Sequence, residues 1–362
     1  MNEYISFDSH KKYTLAERMD RRSLGRRQKR IEHEPGAIRE YLSTVAPGTS
    51  VAVEAIGHWY WIIEEIEAAG MKPLLVHPRK AKLMMGMINK TDKLDVHGLN
   101  RLQQNQTLPT VWIAPRSLRD LRELTRLRLQ NTRQRTRLKN RITATLEKYA
   151  LRVQGCSDAF GVRARQQYPA LLAQLPPQTQ WSAQLQGEQL ELVERHIAEQ
   201  ESRLKALIKI TPTMQLLMTI PGIGVILAAT IALEVGRIER FATDEHLASY
   251  AGTTPRVHSS GGKTWYGRTR PDVNRYLKWA FHEAANSVAL NHKRRPDRHV
   301  SIRYRTLKAR KSHSKAVGAV ARHLAEAVWH VWTRKEPYRD PTLASPRKPK
   351  REVVMPPLRG EE

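Results

Sequence analysis

Three short apolar runs in the first hundred residues do most to limit what this chain can fold into. Tyr4-Ile5-Ser6-Phe7 runs into Asp8, Val51-Ala52-Val53 runs into Glu54, and Leu74-Leu75-Val76 is stopped by Pro78. Between the last two, Trp59, Ile62, Ile63 and Ile66 recur at helical spacing, and Gly70 closes that run. Strand, helix and strand in this order predict an α/β layer with at least one parallel pairing. Residues 9–35 carry Arg21, Arg22, Arg26, Arg27, Lys29 and Arg30, and read as a hairpin plus a solvated basic loop.

The pattern changes after residue 115. Leu118, Leu121 and Leu124, then Leu138, Ile142 and Leu146, mark one long helix between Arg116 and Lys148. Leu190, Val193, Ile197, Gln200, Leu204 and Leu207 step by three and four residues, which is heptad spacing with one polar member. Pro169, Pro176 and Pro177 interrupt the stretch between them. Residues 116–210 are therefore expected to form a helical hairpin or coiled-coil arm, although a plain helical bundle has the same signature. Residues 211–338 read as a third, mostly helical domain, with helices expected at Gln215–Ile220, Ile223–Val235, Val273–Leu290 and Lys315–Val331. From Glu336 onward Pro337, Pro341, Pro346, Pro349, Pro356 and Pro357 predict loose packing, and residues 339–362 a flexible tail. The fold class is thus α/β plus all-α.

Charge narrows the function. The 62 basic side chains outnumber the 35 acidic ones and leave a net charge of +27. An excess of that size calls for a polyanionic partner, and nucleic acid fits best because neutralising phosphates releases counterions. Residues 256–315 are the most positive part, with 16 basic and 3 acidic side chains. Cys156 is the only cysteine, so no disulfide framework or cysteine metal cluster can form within one chain. The start, MNEYISFDSHKK, lacks the apolar run of a signal peptide, and no membrane-length apolar stretch follows. A cytoplasmic protein is expected.

Acidic residues placed against this background are informative. Asp8 and Glu54 both end strand-like runs, where α/β sheets present their ligands. Asp92 and Asp95 are three apart in Lys90-Thr91-Asp92-Lys93-Leu94-Asp95, which on a helix puts both carboxylates on one face. Convergent carboxylates repel unless a cation lies between them. Mg²⁺ suits such a set, since it takes carboxylate oxygens and keeps waters for phosphate substrates. Each residue alone also suits a turn or a helix cap.

A second stretch, Thr253-Thr254-Pro255-Arg256-Val257-His258-Ser259-Ser260-Gly261-Gly262-Lys263-Thr264, puts two serines before two glycines. Arg256, Lys263, Arg268 and Arg270 flank them. A serine there could attack a phosphodiester while the cations stabilise developing charge, or the segment could be a flexible loop that only contacts phosphate. Gly261-Gly262-Lys263-Thr264 fails as a Walker A loop, because position 257 is Val257 instead of glycine. His282-Glu283 fails as a zinc-protease motif, because position 286 is Asn286. Ile220-Pro221-Gly222-Ile223-Gly224 reads equally as a phosphate-contacting turn, through Gly222 and Gly224, and as a plain helix–helix turn.

Taken together, FDSHK, VAVEAIGHWYW, NKTDKLDVHGLNRL, IPGIGVILAATIALEVG, FATDEHLASYAGTTPRVHSSGGKTWYGRT, NRYLKWAFHEAAN and AVGAVARHLAEAVWHVW followed by EPY resemble, in order, the DEDD transposases of bridge-RNA-guided insertion sequences. This is the insertion-sequence 110 class, related to Piv-type DNA invertases, and the likeness runs from about residue 3 to residue 338. The resemblance implies a RuvC-like RNase H fold over residues 1–115, with Asp8, Glu54, Asp92 and Asp95 as a Mg²⁺-binding tetrad. It implies a C-terminal transposase domain whose nucleophile maps to Ser260, with Ser259 as the fallback, and a serine–DNA covalent intermediate. It further implies double-stranded donor and target DNA, a noncoding guide RNA, and a dimer assembling to a tetramer in which the tetrad of one subunit works with the serine of another. Such a bacterial protein would be nucleoid-associated when active. Family members often have glycine where this chain has Val273, a departure that lies close in sequence to the serine segment. A RuvC-like endonuclease that cuts by water attack, and a non-catalytic nucleic-acid scaffold, are the competing expectations.

Overall fold

Side chains alternate across a strand, and the first strand shows what this does here. Ile5 and Phe7 enter one core while Ser6 and Asp8 face the other way. The computed structural model describes residues 3–86 and 91–341. It divides into two units, Met1–Ala114 and Pro115–Glu362.

In the first unit β1 (Glu3–Ser9), β2 (Tyr13–Asp20) and β3 (Arg26–Glu32) form an antiparallel meander. After α1 (Ala37–Leu42), β4 (Ser50–Glu54) pairs parallel with β1, and after α2 (Trp59–Ala68), β5 (Lys72–Val76) pairs parallel with β4. The expected parallel layer is present, in a five-stranded sheet of order β3-β2-β1-β4-β5. Helices α1 and α2 cover one face through Ile38, Leu42, Ile62, Ile63 and Ile66. Helices α3 (Pro78–Met85) and α4 (Asp92–Gln104) cover the other through Ala81, Leu99 and Leu102, packed on Ala52 and Val76. A mixed sheet between helical layers in this order is consistent with an RNase H-like fold.

The basic stretch at 26–30 is not a loop. It forms the edge strand β3, whose residues Arg26 to Arg30 are exposed. A strand wetted on both faces shows no apolar alternation, and charged side chains on an edge discourage strand addition. Both features hide it from a periodicity argument.

The second unit begins with α5 (Arg116–Glu147), which packs along α8 (Pro177–Leu207) after two short helices, α6 (Val162–Arg165) and α7 (Tyr168–Leu172). Leu138, Ile142 and Leu146 meet Leu190, Val193 and Ile197 between the two long helices. A larger core follows, built from α9 (Pro212–Leu217), α10 (Val225–Val235), α11 (Asp244–Tyr250), α12 (Arg275–Asn291), α13 (His299–Lys308) and α14 (His313–Arg334). Between α11 and α12 the chain forms a hairpin of β6 (Pro255–Ser260) and β7 (Lys263–Thr269). This corrects the expected serine loop. Gly261 and Gly262 have φ of 56° and 73°, the pair of left-handed residues that a two-residue hairpin turn requires. Every hairpin residue from Arg256 to Arg268 is exposed, so again no buried face announces the strands.

Gly222, between α9 and α10, lies against α12. A Cβ there would stand 2.3 Å from the Ala284 carbonyl oxygen, and its φ is +83°. Helix–helix approach thus accounts for glycine at this position. Tyr338 stays on the body, its N–H donating to Thr219 Oγ1 at 2.7 Å, so the looseness expected from Glu336 does not hold at that residue. The tail beyond residue 341 lies outside the described residues. Among the described residues no helix is long and apolar enough to cross a membrane.

Candidate active site

Asp8 sits near the C-terminal end of β1, on the face away from the Phe7 core. Parallel pairing of Phe7 with Val53 puts Glu54 at the end of the neighbouring strand, one position on. Helix α4 lies over that face and is tightly anchored. Ser6 Oγ donates to the Val96 carbonyl at 2.7 Å. Fully buried Glu17 accepts from Asn100 Nδ2 at 3.1 Å and from Gln28 Nε2 at 2.6 Å, and lies 3.0 Å from His97 Nδ1. Thr91 caps the helix by accepting from the Leu94 N–H. Asp92 and Asp95 fall in its first turn, so the condition under which their three-residue spacing shares a face is met.

The structure brings Asp8 and Asp92 together around a residue that the sequence reading did not pick, His10. Its Nε2 lies 3.3 Å from Asp8 Oδ2 and 3.2 Å from Asp92 Oδ2. One ligand atom from each of the three residues lies within 4.8 Å of the others. The Nε2 is buried and makes no well-directed hydrogen bond to either carboxylate. Burial pushes the Asp8 carboxyl above its usual range; His10 pulls it down, and Asp92 and Asp95 push it further up. Asp95 therefore acts on Asp8 electrostatically, while Glu54 is brought near by strand register. Tyr13 donates its hydroxyl to Asp92 Oδ2 at 2.9 Å, and Arg30 lies over the Tyr13 ring at 3.6 Å. The signal for His10 was alternation. Two residues beyond Asp8, it falls on the same side of the chain, and FDSHK shows that directly.

This donor set suits a hard divalent cation. A partly desolvated carboxylate is held above its usual range beside two more carboxylates, and an imidazole nitrogen lies between two of the acids without a good hydrogen bond. A bound cation would relieve all three strains.

Ser259 and Ser260 belong to the second unit. Ser259 Oγ and Thr264 Oγ1 are 3.2 Å apart and can share a hydrogen bond, whereas no partner occupies Ser260 Oγ among the described residues. Ser260 pairs directly with Lys263, and His258 with Trp265. Strand alternation therefore puts Ser260, Lys263, His258 and Arg256 on one exposed face, with the His258 and Trp265 rings stacked at 6.2 Å. Arg268 lies exposed on β7, and Arg270, just past it, pairs with Asp272 at 2.7 Å. Val273, the departure from the family pattern, packs where a Gly252 side chain would be, so the two positions fit each other. Gly224 precedes α10 with an exposed backbone.

Comparison with known proteins adds an independent line. A transposase family model of the DEDD IS110 type matches residues 6–151, and a model described as the transposase IS116/IS110/IS902 family matches residues 214–301. The transposase for insertion sequence element IS1111A of Coxiella burnetii is 26% identical, over 83% of this chain and 82% of its own. A probable family 20 transposase of Pseudomonas aeruginosa is also 26% identical, over 83% of this chain and 89% of its own. A pilin gene-inverting protein of Moraxella bovis is 26% identical, over 61% of this chain and 58% of its own.

Proposed function

We propose, for a chain that belongs to the DEDD transposases of the IS110 class and is therefore a DNA transposase, that it exchanges DNA strands through a covalent bond between Ser260 and DNA. The observation that supports this reading best is the meeting of Asp8 and Asp92 at the end of β1, on the face that Glu54 and Asp95 also serve. In a RuvC-like RNase H domain these four carboxylates would hold Mg²⁺, and His10 would keep Asp8 and Asp92 in register. When bound, the cation supplies Lewis-acid stabilisation of charge on the phosphodiester oxygens.

The chain's own groups do the rest. Ser260 Oγ attacks phosphorus. The Oγ–P bond forms, one P–O bond of the DNA strand breaks, the hydroxyl proton leaves Oγ and the departing oxygen gains a proton. His258 shares the face of Ser260 and is suited to accept that proton, and Lys263 and Arg256 stand on the same face to stabilise charge on the phosphoryl oxygens. The serine ester conserves the phosphodiester bond energy, so rejoining to a second DNA end needs no nucleotide triphosphate. Gly224 and the cations Arg268 and Arg270 serve the backbone. The excess of positive charge serves DNA and a noncoding guide RNA, with base pairing supplying the sequence information. The arm of α5 and α8 supplies subunit contacts in a dimer that assembles to a tetramer.

The test is denaturing-gel detection of a protein–DNA adduct after incubation with guide RNA, Mg²⁺ and element-end DNA. Wild type should give an adduct, and Ser260→Ala and Asp8→Ala should each abolish it. Metal-dependent cutting that survives Ser260→Ala would replace the serine step with water attack.

A further inference from the structure

We propose that a cavity beside the start of α12 binds one unstacked nucleotide of a DNA or RNA strand, with its phosphate on Arg133, Arg275 and Lys278 and its base against Trp279. The site rests on the reading of the chain as a nucleic-acid enzyme, but no step of strand exchange is needed for it to exist.

The cavity holds about 380 Å³ and is lined by Arg133, Arg270, Arg275, Lys278, Trp279 and His282, among others. That volume suits one nucleotide and excludes a duplex. Its charge is one-sided. No acid among the described residues lines it; Asp272 is held by Arg270 through two hydrogen bonds, at 2.7 and 3.2 Å, and Glu283 acts on His282 electrostatically. Arg133 and Arg275 are exposed and have no acidic partner among the described residues. Lys278 Nζ donates to Thr269 Oγ1 at 2.7 Å, which fixes the ammonium at the end of β7.

Two further features argue for an anionic ligand. Arg275 and Lys278 lie in the first turn of a 17-residue helix that has no acidic residue there. The helix dipole is positive at that end, so the chain places cations where its own backbone opposes them, and an added anion relieves both. The second feature is how Arg133 arrives. Arg126, seven residues earlier on α5, is clamped to fully buried Glu234 at 2.7 and 3.1 Å, and Glu234 also accepts from Asn274, the cap of α12. Seven residues are two helical turns, so Arg133 follows Arg126 on the same side of α5, about 10.5 Å along the axis. The clamp therefore sets the register that carries Arg133 to the cavity.

The aromatic member separates a nucleotide from a bare phosphate. Trp279 lines the same space as the cations, the pairing that single-strand binders use for base and backbone. His282 donates from Nδ1 to the Lys278 carbonyl at 2.8 Å, which leaves Nε2 as an acceptor for a base edge. The cavity follows directly from β7, so a strand engaged at Ser260 reaches it after roughly 20 Å, the length of that strand.

The experiment uses the full chain in EDTA, where no cutting occurs, and fluorescein-labelled single-stranded DNA and RNA of one sequence. Anisotropy titrations over a salt series should show Arg133→Gln and Arg275→Gln each weakening binding roughly three- to tenfold and reducing the salt slope by about 0.7. An abasic position scanned along the oligonucleotide should weaken wild type at one register. Trp279→Phe should keep that penalty and Trp279→Leu should lose it. An effect confined to the DNA or to the RNA arm assigns the strand that enters. Wild-type affinity and slope in both arginine variants, an equal loss with Arg137→Gln outside the cavity, or no abasic penalty at any register would overturn the site. The readout is binding in EDTA and needs no serine chemistry, so failure of the serine chemistry and failure of this site read out separately.

Discussion

At the scale of single residues, the acidic cluster is arranged against its own stability. Burial and the neighbouring Asp92 and Asp95 oppose ionisation of Asp8, so at neutral pH the folded protein holds a carboxylate that the unfolded chain would ionise more freely. Asp8→Asn keeps the shape and removes the repulsion. In EDTA it should raise Tm by a few degrees in differential scanning calorimetry, while abolishing the adduct. Mg²⁺ should raise the Tm of wild type by mass action and leave that of Asp8→Asn nearly unmoved. A lower Tm for Asp8→Asn in EDTA would mean that Asp8 is a structural acid. His323 offers a test away from the site. Burial, helped by Arg303, His299 and His330, pulls its imidazole down to about 4. Between about 6.5 and 4 the unfolded chain then binds more protons than the folded one. Stability should fall as pH drops through that window and level off below it. His323→Gln should flatten the fall, as thermal melts at a series of pH values would show.

At the scale of elements, what the sequence reveals depends on what each element buries. Strands β1, β4 and β5 and helices α2, α5, α8, α10, α12 and α14 each cover a core, and their apolar spacing is plain in the chain. Asp8 and Glu54 could be picked out because each sits at the end of such a strand, and Asp92 and Asp95 because their three-residue spacing shares a face once the segment is helical. Strand β3 and the hairpin of β6 and β7 bury almost nothing, so their residues read as loops. For the same reason the shared face of Ser260, His258 and Lys263 appeared only with the strand register. His10 was missed because it lies just past the end of β1, where only its two-residue step from Asp8 connects it to the acids. The glycines follow the same logic. Gly222→Ala would drive a Cβ to 2.3 Å from a carbonyl oxygen at φ +83°, whereas Gly261 has φ +56° and open space around it. Gly222→Ala should destabilise by about 2–4 kcal/mol, combining backbone strain with overpacking. Gly261→Ala should lose only about 1 kcal/mol, since backbone conformation alone opposes it. Urea unfolding followed by circular dichroism measures both, and equal losses would remove the packing argument for Gly222.

At the scale of the whole molecule, the groups proposed to react are divided between the two units: the four carboxylates lie within Met1–Ala114 and Ser260 within Pro115–Glu362. The proposed chemistry needs both sets at one phosphorus atom. Two copies of the chain can supply them in two ways, and mixing inactive variants tells them apart. Asp8→Ala has an intact serine and a broken carboxylate set, and Ser260→Ala has the reverse. If the carboxylates of one subunit serve the serine of another, a mixed assembly contains a site made of two intact halves, and adduct formation returns. The adduct must then form on the Asp8→Ala chain alone, since the other lacks the hydroxyl. Co-expression with tags of different mass lets assemblies that carry both be purified and shows which chain the DNA follows. Purified mixed assemblies that give no adduct would mean that each subunit works with its own serine. The result also governs how the positive charge is used, because a site shared between subunits forms only after assembly. Nucleic acid drawn in by the net charge of +27 would then be cut only where two copies have met.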